Sequence, residues 1–196
     1  MGCHDLQIPN AFVQTEMDKT NKGERVTMKI RGALVDILLK MDYNKYGNFV
    51  TKENERRILY VSMRKALYGM LDSAILYYKK FRRDIEEQGY EVNPYDPCVA
   101  NKMIDGKQHT VCWHVDDLKA SHVHKKVNDD FLDWLNKKYG TLAKVTATRG
   151  NEHDYLAMIL KYTNDGKVIV DMTRYVKKMV EEFPDKLKEG AKLPWT

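Results

Sequence analysis

The apolar positions of this chain change period several times, and each change marks an element. In DSAILYYKKFRRDIEEQG, residues 72–89, Ala74, Tyr78, Phe81 and Ile85 recur at helical spacing, with Ser73 placed to cap the start and Gly89 to stop the end. Val127, Phe131, Trp134, Leu135 and Tyr139 predict a second helix that closes on Gly140. A third is predicted over VTMKIRGALVDILLKM from Val26, Ile30, Ala33, Leu34, Ile37, Leu38 and Met41. A last helix begins near Thr173 and buries Val176, Met179, Val180 and Phe183.

Between these stretches the pattern is that of strands. LQIPNAFVQ (6–14) predicts a short strand in which Pro9 forces a bulge or an edge position. Ile58 to Val61, Cys98 to Met103, His109 to Val115 and Leu118 to Val123 read as further strands, and YLAMILKY and KVIVDM flank the turn TNDG. DYNKYGN and NPYDPC read as turns. The order is mixed rather than strictly alternating, which predicts an α+β fold with an antiparallel sheet.

Composition narrows the setting. With 196 residues and 43% apolar composition the chain can bury a core, and its net charge of +5 permits an anionic partner without requiring one. Cys3, Cys98 and Cys112 are odd in number and form no C-x-x-C pair, which favours a reducing, intracellular setting. The longest apolar run, Ala33 to Leu39, is broken by Asp36, so no membrane span is expected.

The pair Asp116 and Asp117 in WHVDDLKASH is the strongest candidate for chemistry. A two-residue turn at the pair would set Val115 opposite Leu118, His114 opposite Lys119 and Trp113 opposite Ala120. Val111, Trp113, Val115, Leu118 and Ala120 then share an apolar face, and Cys112, His114, Lys119 and Ser121 share a polar one. Asp116 continues the polar register, so its carboxylate is expected to project there.

IPNAFVQT (8–15), ALYGM (66–70), GYEVNPYDPCVANK (89–102) and HVDDLK (114–119) stand in an order that resembles the reverse transcriptase domain of copia-type retrotransposons. DYLAMIL (154–160), resembling a Tyr/Phe-Leu-Gly segment, KVIVDMTRYVKKMVEEF (167–183) and AKLPW extend the likeness over nearly the whole chain. The resemblance implies a polymerase palm with partial fingers and the start of a thumb. Residues 1–65 would carry the first motif strand and partial fingers, 66–160 the palm, and 161–196 a hairpin and helix toward the thumb.

It also implies two-metal nucleotidyl transfer on an RNA template and DNA primer with deoxynucleoside triphosphates, using Mg²⁺ or Mn²⁺. Asp116 and Asp117 would be the catalytic, metal-holding pair, with Asp116 the more direct ligand. Phe12, Tyr68 and Gly69 would contact the nucleotide, Phe12 as the aromatic that excludes a ribose 2′-hydroxyl. The family's first-motif aspartate corresponds to Gln7, a neutral carboxamide that is a poor Mg²⁺ ligand. Asp5 lies on the same strand face but about 6.6 Å further along. The run after the Leu-Tyr-Gly motif is LDSAI, without the family's two basic residues. With six residues before Gln7 and 196 in all, the preceding finger strands and an RNase H module are not expected within this stretch. These features imply a degraded or inactive fragment, part of a longer Pol polyprotein in cytoplasm, nucleus or a virus-like particle.

Three other readings stay open, one of them an inert scaffold, on which composition is silent. A non-catalytic nucleic-acid-binding remnant would use Lys79, Lys80, Arg82, Arg83 and Lys119, with Lys125 and Lys126, against phosphates. A zinc site is conceivable if His109 and His124 oppose one another with His122 diagonally near.

Overall fold

Alternation along β1 (Gly2–Gln7) buries His4 and Leu6 on one face and turns Asp5 and Gln7 to the other. The computed structural model describes residues 2–17 and 26–183, so part of the charged stretch after Glu16 and the closing AKLPW lie outside the described residues. The expected strand at 6–14 is shifted toward the chain start. Pro9 and Asn10, the latter at φ +55°, end it, and Phe12–Gln14 form a 3₁₀ turn instead.

Next come β2 (Thr27–Arg31), α1 (Ala33–Met41), α2 (Tyr43–Tyr46), β3 (Val50–Glu53) and β4 (Arg56–Ser62). The single helix predicted over 26–41 is therefore corrected to a strand and a shorter helix. Gly32 at φ +61° breaks the helical path, and β2 pairs with β4 from Thr27↔Ser62 to Arg31↔Ile58. DYNKYGN, read as a turn, holds α2. The order of this small sheet is β2-β4-β3.

α3 (Leu71–Glu86) begins one turn earlier than its expected cap. Met70 is the N-cap, and Ser73, inside the helix, donates from Oγ to Leu67 O at 2.6 Å. Its buried stripe runs through Ser73, Tyr77, Phe81, Asp84 and Ile85, so Tyr77 takes the place expected of Tyr78, and Ala74 is exposed. Gly89 stands at φ +80° as the predicted stop. β5 (Glu91–Val92), β6 (Val99–Ile104), β7 (Lys107–His114), β8 (Asp117–His122), α4 (Lys125–Tyr139) and β9 (Thr146–Arg149) complete the main body.

The main sheet has the order β5-β6-β7-β8-β1-β9, antiparallel throughout. Leu6, Ala100, Val111, Trp113, Leu118 and Ala120 point from it into one core with Tyr77, Phe81 and Ile85 of α3 and Phe131, Leu135 and Tyr139 of α4. Phe81 meets Trp113 edge-on at 5.2 Å. A third sheet, β10 (Glu152–Tyr155), β11 (Met158–Tyr162) and β12 (Val168–Asp171), follows, and α5 (Thr173–Glu181) ends the described chain. Val176, Met179, Val180 and Phe183 are about half exposed, so the expected buried face of α5 is uncovered among the described residues. Mixed α+β architecture with antiparallel sheets is thus the observed class.

Three histidines sit between the main sheet and α4. His4 and His122 are buried, and His109 is fully buried with Tyr90 Oη 2.6 Å from its Nδ1. Burial pulls His109 down to about 4 from 6.5; the neighbouring His122 and Lys102 add to the effect, and Asn128 opposes it. The unfolded chain therefore binds a proton that the native chain refuses between those values, so stability is whole above about pH 6.5 and falls as pH drops toward 4. Urea unfolding across that window should show a loss of about 3 kcal/mol attributable to this group. His109→Gln should flatten the decline, and an unchanged slope would remove His109 as its cause.

Candidate functional site

Pairing of β1 with β8 sets Gln7 opposite Asp117, Leu6 opposite Leu118 and Asp5 opposite Lys119. The Ile8 amide extends the ladder, donating to Asp116 O at 2.9 Å. Two segments more than a hundred positions apart thus meet at one strand end. The β7–β8 turn consists of Val115 and Asp116, with His114 opposite Asp117 and Trp113 opposite Leu118. This differs by two residues from the expected register. An even slip preserves the faces, which is why the apolar and polar sets remain as predicted.

The slip does change which carboxylate joins the polar face. Asp117, not Asp116, lines a cleft of about 320 Å³ with Asp5, Gln7, Thr146, Thr148, Asp154 and Tyr155. Burial and the adjacent Asp116 charge raise the Asp117 pKa, while His114 and the Gln7 amide favour its ionised form. Asp116 sits in the turn, where its charge, second to burial, pushes up the phenols of Tyr68 and Tyr77. The expectation that Asp116 projects into the polar cleft is therefore corrected, because it occupies the turn and Asp117 begins the strand.

The loop after β1 carries Phe12 to the same end. Its ring lies 4.5 Å from that of Tyr68 and 6.0 Å from that of Tyr77, and Phe12 is buried in the core cluster while Tyr68 is half exposed. Gly69, at φ +87°, lets the chain turn from Tyr68 into α3. Gln7, Asp116, Asp117, Phe12 and Tyr68 are thereby gathered around one end of the sheet.

The donor set does not fit a pair of divalent cations. Asp116 and Asp117 are the two carboxylates at the tip, and the residue facing them from β1 is a neutral amide. Asp5 does not substitute: Lys119 Nζ stands 2.6 Å from its Oδ1 and His153 Nδ1 stands 2.8 Å from its Oδ2. Both oxygens are engaged away from the tip. No reaction step through a metal pair follows from this arrangement.

The basic residues are mostly paired. Lys80 bonds Asp84 at 2.7 Å and lies 4.1 Å over the Tyr139 ring, Arg82 bonds Glu86 at 3.0 Å, Arg83 stands 4.0 Å from Glu87, and Lys119 is held by Asp5. Lys79 is exposed beside Thr15, Glu16 and Leu76. Lys126 is paired with Asp130 at 2.7 Å, which leaves the expected stripe of free cations largely neutralised by α3 and α4 themselves. The histidines do gather, but through His122: its ring is 5.9 Å from that of His109 and 5.4 Å from that of His124. His122 Nδ1 accepts from the His124 amide at 3.0 Å and His109 Nδ1 faces Tyr90, so these nitrogens are engaged in hydrogen bonds.

Sequence pattern missed β10, which brings Asp154 and Tyr155 to the cleft and His153 to Asp5. The signal was weak because Tyr155 is the one apolar residue in NEHDY, so no alternation is visible. Compared with known proteins, the chain matches no family model, no curated protein and no solved structure.

Two turns at the cleft are strained. Val115 stands at φ +55°, and Leu156 and Ala157 in the β10–β11 turn stand at +51° and +63°, where side chains bearing a Cβ are disfavoured. Such strain costs of order 1–3 kcal/mol per residue, against about 0.5–1 for the backbone freedom of glycine. Leu156 and Ala157 are exposed, so Leu156→Gly and Ala157→Gly should each stabilise the fold by about 1 kcal/mol in denaturant titration, whereas the Val115 side chain packs on the core and its removal would offset the gain. A loss of stability in both would show that the β10–β11 turn is relaxed.

Proposed function

We propose that this chain is a reverse transcriptase palm of the copia type that receives a primer–template duplex but transfers nucleotides poorly, because Gln7 stands where a carboxylate is needed. The observation that carries this reading is the register pair Gln7↔Asp117, joined by the Ile8 amide on Asp116 O. In the resemblance these positions belong to two separate motifs that must meet to hold cations, and their meeting does not follow from sequence order. The placement of Phe12 against Tyr68 beside the pair supports the same reading. RNA template, DNA primer and deoxynucleoside triphosphates are the corresponding partners.

The two carboxylates account for the weakness as well as the likeness. Asp117 is partly desolvated beside Asp116, a concentration of negative charge that one cation would relieve. A second cation would need an anionic ligand from β1, and a carboxamide supplies none.

Primer extension on an RNA template with Mg²⁺ or Mn²⁺ tests the proposal. The unaltered chain should extend at or near background, and Gln7→Asp should raise extension by at least tenfold, as removal of about 1.4 kcal/mol from the barrier would do. Efficient synthesis by the unaltered chain would sink the claim of weak transfer. Binding of primer–template that fails to weaken with added salt, or no binding at all, would sink the polymerase reading itself.

A further inference from the structure

We propose that Cys3 Sγ, Asp5 Oδ2 and His153 Nδ1 form a site for a transition-metal dication of the zinc class, which staples β1 of the main sheet to β10 of the adjoining one. This inference is independent of the polymerase reading. Among the described residues, these three offer ligand atoms that all lie within 4.8 Å of one another. They come from two sheets, so a shared ion would join elements far apart in the chain.

His153 supplies the decisive geometry. Its side chain is fully buried, its Nε2 stands 2.9 Å from Gly150 O, and its Nδ1 stands 2.8 Å from Asp5 Oδ2. Both partners are acceptors without a proton of their own. A neutral imidazole has one N–H, and donation to the Gly150 carbonyl leaves a lone pair on Nδ1 aimed at a carboxylate oxygen. That contact is satisfied by an imidazolium or by a cation held between the two atoms. The Gly150 carbonyl is in either case the group that fixes the ring, as an outer partner commonly does for a metal-bound histidine.

Cys3 makes the cation the better answer. It is 6% exposed on the same strand face as Asp5, and its thiol makes one weak contact, donating to Tyr162 Oη at 3.7 Å. Sulfur, nitrogen and oxygen together suit zinc and its neighbours rather than magnesium, which takes oxygen alone. Ligand atoms of a tetrahedral zinc centre stand about 3.3–3.8 Å apart, so small side-chain rotations suffice to close the set. Water would complete the fourth position.

Lys119 is the apparent obstacle, since its ammonium lies 2.6 Å from Asp5. It is bound to Oδ1, whereas the proposed ion uses Oδ2, so one carboxylate serves both. Lys119 also lies 5.6 Å from the Tyr155 ring and 5.5 Å from the Tyr162 ring, which hold its buried ammonium on the Oδ1 side of Asp5. Metal binding displaces the Cys3 thiol proton to solvent, so affinity falls as pH is lowered.

The test uses the whole chain, stripped with chelator and titrated with Co²⁺ and then Zn²⁺. One equivalent of Co²⁺ should give a thiolate-to-cobalt charge-transfer band with tetrahedral visible bands, zinc should bleach it, and Tm should rise with either ion. Cys3→Ser and His153→Gln should lose the band, with circular dichroism reporting that they remain folded. Cys112→Ser and the Asp116→Asn, Asp117→Asn double variant should keep it. No charge-transfer band in the unaltered chain overturns the proposal without recourse to any variant. So does a band that survives Cys3→Ser, or one that vanishes with Cys112→Ser.

Discussion

Everything in the site depends on β1 lying inside the main sheet rather than at its edge. Its residues pair with 117–122 on one side and with 146–149 on the other. Both rows of backbone donors and acceptors are thereby used, which a buried strand requires. Alternation then assigns opposite duties to neighbours. His4 and Leu6 enter the layer beneath α4, while Asp5 and Gln7 face the polar cleft and the buried Cys3 shares their side of the strand. A slip by one residue would exchange the two sets and place charge in the core.

Beneath the sheet, a buried acid does comparable work between helices. Asp84 of α3 is almost inaccessible, and burial alone would raise its pKa. Hydrogen bonds from Lys80 at 2.7 Å and Tyr139 at 2.5 Å, with Lys138 at 3.1 Å, hold it below its usual range. The carboxylate therefore ties α3 to α4. It also explains why the basic run on α3 offers little free charge apart from Lys79: Lys80 is part of the packing, and Arg82 and Arg83 pair along their own helix.

At the cleft, the same sheet geometry concentrates features that are costly elsewhere. Asp116 and Asp117 sit together at partial burial, and Val115 adopts a backbone angle its branched side chain resists. The turn is held there by the β7–β8 ladder and by the Ile8 amide on Asp116. Strain of this kind persists only where the surrounding structure over-determines the backbone. Gln7 stands opposite Asp117 in the ladder and meets the pair with a neutral amide.

Periodicity in the sequence determined the helices at α3 and α4, the strands of the β6–β7–β8 meander, the stop at Gly89 and the separation of Val111, Trp113, Leu118 and Ala120 from the polar face. These depend on neighbours close along the chain, where side-chain spacing is sufficient information. Sequence also singled out the Asp pair and the neutral residue at Gln7. Tertiary structure decided which aspartate faces the cleft, because the hairpin turns one residue earlier than expected and Asp117 joins the ladder opposite His114 and Gln7. It decided that Gly32 splits the 26–41 segment, since β2 gains a ladder with β4 that helical periodicity cannot register. It alone placed His153 against Asp5, joining residues 148 positions apart. Long-range juxtapositions of this kind are set by the closing of sheets, and no local pattern of apolar residues encodes them.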